Sequence, residues 1–140
     1  MIFKNELLVA PTIIDSVPFL APSSPPVIGA STNPNRYSNI AIKRLVDKEL
    51  PTLALGLRKG KVLNVTIEDK KQAYDNIGTV TLYLNPKRQE EYYDYIINLN
   101  PKRVIFNPGT ENMEFTKLLQ ENNIEVEIAC TLVLLSTNQY

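Results

Sequence analysis

From Val27 to the C-terminal end, short aliphatic and β-branched runs alternate with longer amphipathic stretches, and no other feature of the chain constrains its fold as tightly. The runs are Val27-Ile28 and residues 52–57, 79–84, 103–106 and 125–129. They are too short for helices, so each reads as a buried strand. Between them the spacing is helical. Ser38 stands where it can cap a helix that carries Ile42, Leu45 and Val46 on one face and stops at Leu50-Pro51. Asn85-Pro86 has the form of an N-cap followed by proline at the first helical position, and Tyr92, Tyr93, Ile96 and Ile97 recur behind it at helical spacing. A third helix carries Phe115, Leu118 and Leu119 inward and ends at Asn122-Asn123. Strands separated by helices need crossover connections, and crossovers make a parallel sheet covered by helices. The expected fold is therefore α/β: a three-layer domain with a mostly parallel five-stranded sheet and helices on both faces. Residues 60–74 are less regular and allow a short strand at 61–65 and a short helix after Asp69.

The chain has 140 residues, 44% of them hydrophobic, which is enough for one core. One domain over residues 27–140 accounts for all of the regular pattern. Residues 1–26 differ from it: they hold Pro11, Pro18, Pro22, Pro25 and Pro26, a Ser23-Ser24 pair and no clear period, and read as an irregular Pro-rich extension. Their apolar stretches are broken by Glu6, Pro11, Asp15 and Pro18, short of the roughly 20 residues that span a bilayer. Lys4 alone supplies too little leading charge for a signal peptide. One tension stands out. The first strand of such a sheet is usually central, yet Pro25-Pro26 precedes Val27 and proline donates nothing to a ladder, so this strand is expected to be short or to begin differently.

Charge and rare residues narrow the chemistry. With 15 basic and 15 acidic residues the net charge is zero, so no general field draws nucleic acid or an acidic membrane, and any anion must be held locally. The single Cys130 excludes an internal disulfide framework and points to a reducing compartment, the cytoplasm. There is no histidine, which removes the commonest general base and the commonest zinc ligand, so neither catalytic nor metal residues are assigned.

In open α/β sheets ligands lie beyond the carboxyl ends of the strands. After the first strand comes Gly29-Ala30-Ser31-Thr32-Asn33-Pro34-Asn35-Arg36-Tyr37-Ser38, small and hydroxyl side chains leading into a helix N-terminus, a turn that offers backbone N–H groups to a phosphate. It lacks the three glycines of the dinucleotide fingerprint. After the second strand comes Gly56-Leu57-Arg58-Lys59-Gly60-Lys61, basic where an NAD site places an acid on the ribose. Arg58 and Lys59 suit a ribose phosphate, either the 3′-phosphate of coenzyme A or the 2′-phosphate of NADP. The third and fourth strands end in Asn85-Pro86 and Asn107-Pro108-Gly109, which wall the same edge. Each stretch also reads as ordinary turn chemistry. Cys130 fits a small buried apolar residue better than a reactive thiol, and Glu111 and Glu114 fit a helix N-terminus better than an acid-base pair.

Taken together, Val27-Ile28-Gly29-Ala30-Ser31 with Asn33-Pro34, residues 80–86 and Val104-Ile105-Phe106-Asn107-Pro108-Gly109 resemble the CoA-binding domain family, whose fold also forms the N-terminal domain of the succinyl-CoA synthetase alpha subunit. The resemblance covers residues 27–140 and implies a Rossmann-like domain with coenzyme A or an acyl-CoA at the strand ends. Carried over, Gly29, Ala30, Ser31 and Asn33 would line the diphosphate, Tyr37 and Ser38 would close the loop, and Arg58 and Lys59 would face the nucleotide phosphate. Asn85, Pro86, Asn107 and Gly109 would border the pantetheine path. With no histidine to phosphorylate and no second domain, the synthetase reaction is not implied. The expected function is non-catalytic binding of a small-molecule nucleotide ligand, with neither nucleic acid nor membrane as partner. A homo-oligomer or a partner enzyme stays open. The alternatives are an NADP-linked or acyl-CoA-dependent enzyme component acting with a partner, and an interaction protein whose pocket has lost its ligand.

Overall fold

A computed structural model describes residues 26–140; the Pro-rich extension, Pro26 excepted, lies outside the described residues. The strands are β1 (Pro26–Ala30), β2 (Leu53–Gly56), β3 (Gly60–Val62), β4 (Val65–Glu68), β5 (Thr79–Leu82), β6 (Arg103–Phe106) and β7 (Glu125–Ile128). The helices are α1 (Tyr37–Asp47), α2 (Pro86–Gln89), α3 (Tyr93–Leu99), α4 (Met113–Glu121) and α5 (Thr131–Ser136), with a 3-10 turn Glu90–Tyr92 joining α2 to α3.

All seven strands form one sheet in the order β3-β4-β2-β1-β5-β6-β7. Every pairing is parallel except β3 with β4. The α/β class and the helices on both faces agree with the sequence pattern, but the sheet has seven strands rather than five. Both extra strands come from the segment expected to hold one. It folds back as the β3-β4 hairpin, and its turn residue Leu63 sits at φ 54, a left-handed conformation that a leucine does not advertise. The helix expected after Asp69 is absent, and α5, hidden in the continuous apolar run 132–135, was not anticipated.

β1 is central, between β2 and β5, and the proline tension resolves at its first position, one of the few places a sheet accepts that residue. Alternate β1 and β2 residues fall to opposite faces. Val27 and Ala54 join Ile42, Leu45, Ile67 and Leu135 beneath α1 and α5. Ile28 and Leu55 join Leu82, Ile96, Phe106, Phe115 and Leu119 beneath α3 and α4. Being covered on both sides is why these strands read as unbroken apolar runs.

From β1 the chain winds one way to β2, and from β5 it winds the other way to β6 and β7. The switch point therefore lies between β1 and β5, and the loops that follow these two strands stand at the carboxyl edge, where open α/β sheets take their ligands.

Candidate functional site

Two glycines bring the loops together. Gly29 adopts φ +95, and a Cβ placed there would stand 2.9 Å from the Tyr83 carbonyl carbon and 3.1 Å from the Leu84 nitrogen. The Tyr83 N–H donates to the Ile28 carbonyl at 2.8 Å, locking the exits of β1 and β5 side by side. Gly56 lets β2 approach on the other side, where any Cβ would collide with the Ala30 carbonyl.

The loop between β1 and α1 is held by its own side chains. The Asn33 N–H donates to Ser31 Oγ and the Asn35 N–H to Asn33 Oδ1, both at 3.0 Å. Asn39 Nδ2 donates to the Ser31 carbonyl at 2.9 Å, tying the loop to the first turn of α1. Ser31 and Asn33 thus shape a turn that precedes a helix N-terminus with its unsatisfied N–H groups. Tyr37, the first residue of α1, is 70% exposed. Ser38 is not the N-cap: that position is Arg36, without a side-chain cap bond, and Ser38 lies buried inside the helix. Replacing Ser31 by leucine removes the Oγ acceptor and fills the loop while touching little of the core. Circular dichroism should show a folded protein, and if the loop takes the diphosphate that the family resemblance implies, coenzyme A affinity should fall by at least about tenfold, the worth of one charge-assisted hydrogen bond. If fold and binding vanish together, Ser31 is a folding residue.

The basic turn adjoins this loop. A Cβ placed on Gly60 would meet the methyl of the exposed Thr32, so the β1-α1 loop comes close to the start of β3 and a side chain at Gly60 would have to displace that threonine. Arg58 and Lys59 are exposed immediately before it. Neither Thr32 nor Gly60 stood out in the sequence.

On the far side of the switch point, Asn85 caps α2 by accepting from the Arg88 N–H at 2.9 Å, with Pro86 at the first helical position as its spacing predicts. Asn85 and Pro86 are exposed beside the β1 exit, whereas Asn107 is 1% exposed and its amide is engaged inside the protein. Asn107 Nδ2 donates to Thr81 Oγ1 at 2.7 Å and to the Leu82 carbonyl at 2.8 Å, and Oδ1 accepts from the Thr131 N–H at 2.8 Å. It welds β5, β6 and α5 together. Gly109, at φ +90, is exposed and donates its N–H to Glu111 Oε1 at 2.9 Å. Of the candidate residues, Gly29, Ala30, Ser31, Asn33 and Tyr37 share one loop, with Arg58 and Lys59 next to it and Asn85 and Pro86 opposite. Ser38 and Asn107 stand behind that surface.

Buried polar residues are what the sequence reading missed. The buried Gln89 and Thr110 and the half-buried Asn112 form a network behind the two Asn-Pro turns. The available signal was the position of Gln89 on the stripe of Tyr92, Ile96 and Leu99, a polar residue at an apolar spacing. Cys130, a free thiol, is the N-cap residue of α5. The Tyr83 hydroxyl is buried without a hydrogen-bond partner among the described residues, and burial pushes it up to about 12. It stays protonated at neutral pH and offers no base.

The family model described as "CoA binding domain" matches residues 25–136. No curated protein matches the chain. Among solved structures, one described as an uncharacterized protein is 44% identical with a TM-score of 0.82, over 86% of this chain and 100% of its own. A hypothetical protein from Pyrococcus horikoshii OT3 is 27% identical with a TM-score of 0.70, over 77% of this chain and 78% of its own. A protein from Thermus thermophilus, 18% identical with a TM-score of 0.71 over 85% of this chain and 91% of its own, shares the fold. With a doubly wound sheet whose switch point lies between β1 and β5 and a family match over almost every described residue, this chain belongs to the CoA-binding domain family.

Proposed function

We propose that the protein binds coenzyme A or an acyl-CoA in the crevice between the ends of β1 and β5 and does no chemistry on it. The observation that carries this reading is the continuity of the β1-α1 loop with the Arg58-Lys59 turn through the Thr32–Gly60 contact. A turn leading into a helix N-terminus, with two exposed cations next to it, suits a nucleotide with a diphosphate and a separate ribose phosphate. Gly29, Ala30, Ser31 and Asn33 take the diphosphate, with Tyr37 at the mouth, and Arg58 and Lys59 take the 3′-phosphate. Asn85, Pro86 and Gly109 border the pantetheine arm, while Asn107 and Ser38 hold the supporting elements. We read the protein as cytoplasmic, acting as a carrier or sensor, alone, as a homo-oligomer or beside a partner enzyme.

The basic turn also favours a second reading, NADP with its 2′-phosphate, as a component of a reductase. Competition separates the two. Coenzyme A should outcompete dephospho-coenzyme A by about 1.5–3 kcal/mol, the value of a hydrogen bond to a charged group. In the Arg58→Ala, Lys59→Ala double variant this advantage should shrink, with affinity for dephospho-coenzyme A hardly changed. Calorimetric titration of both proteins with both ligands reads it. Equal affinity of the unmodified protein for the two would leave the cations as a solvated turn, and preference for NADP over coenzyme A would favour the second reading.

A further inference from the structure

Gln89 ends α2 and is fully buried, next along the helical stripe to Tyr92 and Ile96. Those two neighbours show that the stripe accepts apolar side chains, so filling space does not require an amide here. The amide nevertheless uses both its ends. Nε2 donates to the Leu84 carbonyl and to the Thr110 carbonyl, each at 2.8 Å. Oε1 accepts from Asn112 Nδ2 at 3.0 Å. Asn112 Nδ2 also donates to the Tyr93 hydroxyl at 2.9 Å, while its Oδ1 caps α4 by accepting from the Phe115 N–H at 3.1 Å. One side chain therefore joins the residue before the Asn85-Pro86 turn to the residue after the Asn107-Pro108-Gly109 turn.

This bridge also sets the direction of two peptide groups. In a planar trans peptide the C=O and N–H point in opposite directions. Because the Leu84 and Thr110 carbonyls turn inward onto Gln89, the N–H groups of Asn85 and Glu111 turn away from the interior.

We propose that Gln89 is a positioning residue for the flexible arm of the ligand: by pinning both carbonyls it presents the Asn85 and Glu111 N–H groups to the amide carbonyl oxygens of a pantetheine chain. The inference rests on reading the crevice as a coenzyme A site. It assigns the two Asn-Pro turns to the arm alone, while the nucleotide half depends on the β1-α1 loop and the basic turn.

The test compares coenzyme A with adenosine 3′,5′-bisphosphate, which keeps the 3′-phosphate and the first phosphate of the diphosphate and lacks the second phosphate and the arm. In Gln89→Met, which keeps the chain length and loses the amide, coenzyme A affinity should fall about tenfold while the bisphosphate stays within about twofold, since only the arm loses its hydrogen bonds. In the unmodified protein the amide resonances of Asn85 and Glu111 should shift on addition of coenzyme A and stay in place with the bisphosphate, a readout that does not depend on the variant folding. Equal losses for both ligands, an undiminished affinity for coenzyme A, or the same amide shifts with both ligands would overturn the inference while leaving the site intact. An unmodified protein that binds no coenzyme A removes the reading of the site itself.

Discussion

Gly29→Val should destabilise the protein by about 3 kcal/mol or more, since a β-branched residue must hold a left-handed φ while its Cβ presses on backbone. The neighbours in question are the Tyr83 carbonyl carbon and the Leu84 nitrogen, at 2.9 and 3.1 Å from a Cβ at this position. Both belong to the main chain of the adjacent strand exit, so neither can rotate away. Whatever protein remains folded must spread the exits of β1 and β5 at the switch point, and coenzyme A binding should fall with it. Urea unfolding is the measurement: the midpoint should drop with the slope m unchanged, the signature of lost stability in an unaltered two-state transition. A loss under about 1 kcal/mol would mean that the loop relaxes easily and that the close approach of the two exits is not a constraint on the fold.

Asn107→Ala should cost about 3 kcal/mol and lower the thermal midpoint by roughly 10 °C, because one truncation leaves several buried groups without partners. The Leu82 carbonyl, the Thr131 N–H and the Thr81 hydroxyl all lose the Asn107 amide. Thr81 and Thr131 keep their mutual hydroxyl bond of 2.6 Å, so Thr131→Val alone should cost less, about 1 kcal/mol. The double variant should lose less than the sum of the two, as members of one network do. Additive losses would show that the Asn107 amide and the threonine pair act independently.

How far this was legible in the sequence depends on whether the signal lay in a run of residues or in a contact between distant ones. β6 was read at its observed bounds because Arg103–Phe106 is a compact apolar run in a fully covered strand. The Asn85 cap of α2 was read correctly because cap and proline are adjacent in the chain. The β3-β4 hairpin was missed because its turn has neither glycine nor proline; Leu63 takes the left-handed position. At α1, Ser38 has the composition of a cap, but the chain enters the helix two residues earlier, at Arg36, where no side chain caps it. Asn107 shows the limit for the site. Its place after a strand end predicts a position at the carboxyl edge, yet only the fold reveals that the amide faces inward to Thr81, Leu82 and Thr131. The Thr32–Gly60 contact spans two loops and has no signature in either.

The central claim is that the crevice beside β1 takes coenzyme A, and calorimetric titration of the unmodified protein with coenzyme A and, separately, with NAD tests it most directly. On the proposed reading the β1-α1 loop would take a diphosphate of either ligand, but only coenzyme A carries a further ribose phosphate for Arg58 and Lys59, and the turn after β2 has no acid for a ribose hydroxyl. Saturable binding of coenzyme A, tighter than that of NAD, is the predicted result. Clear binding of NAD with no binding of coenzyme A at millimolar concentration would contradict it.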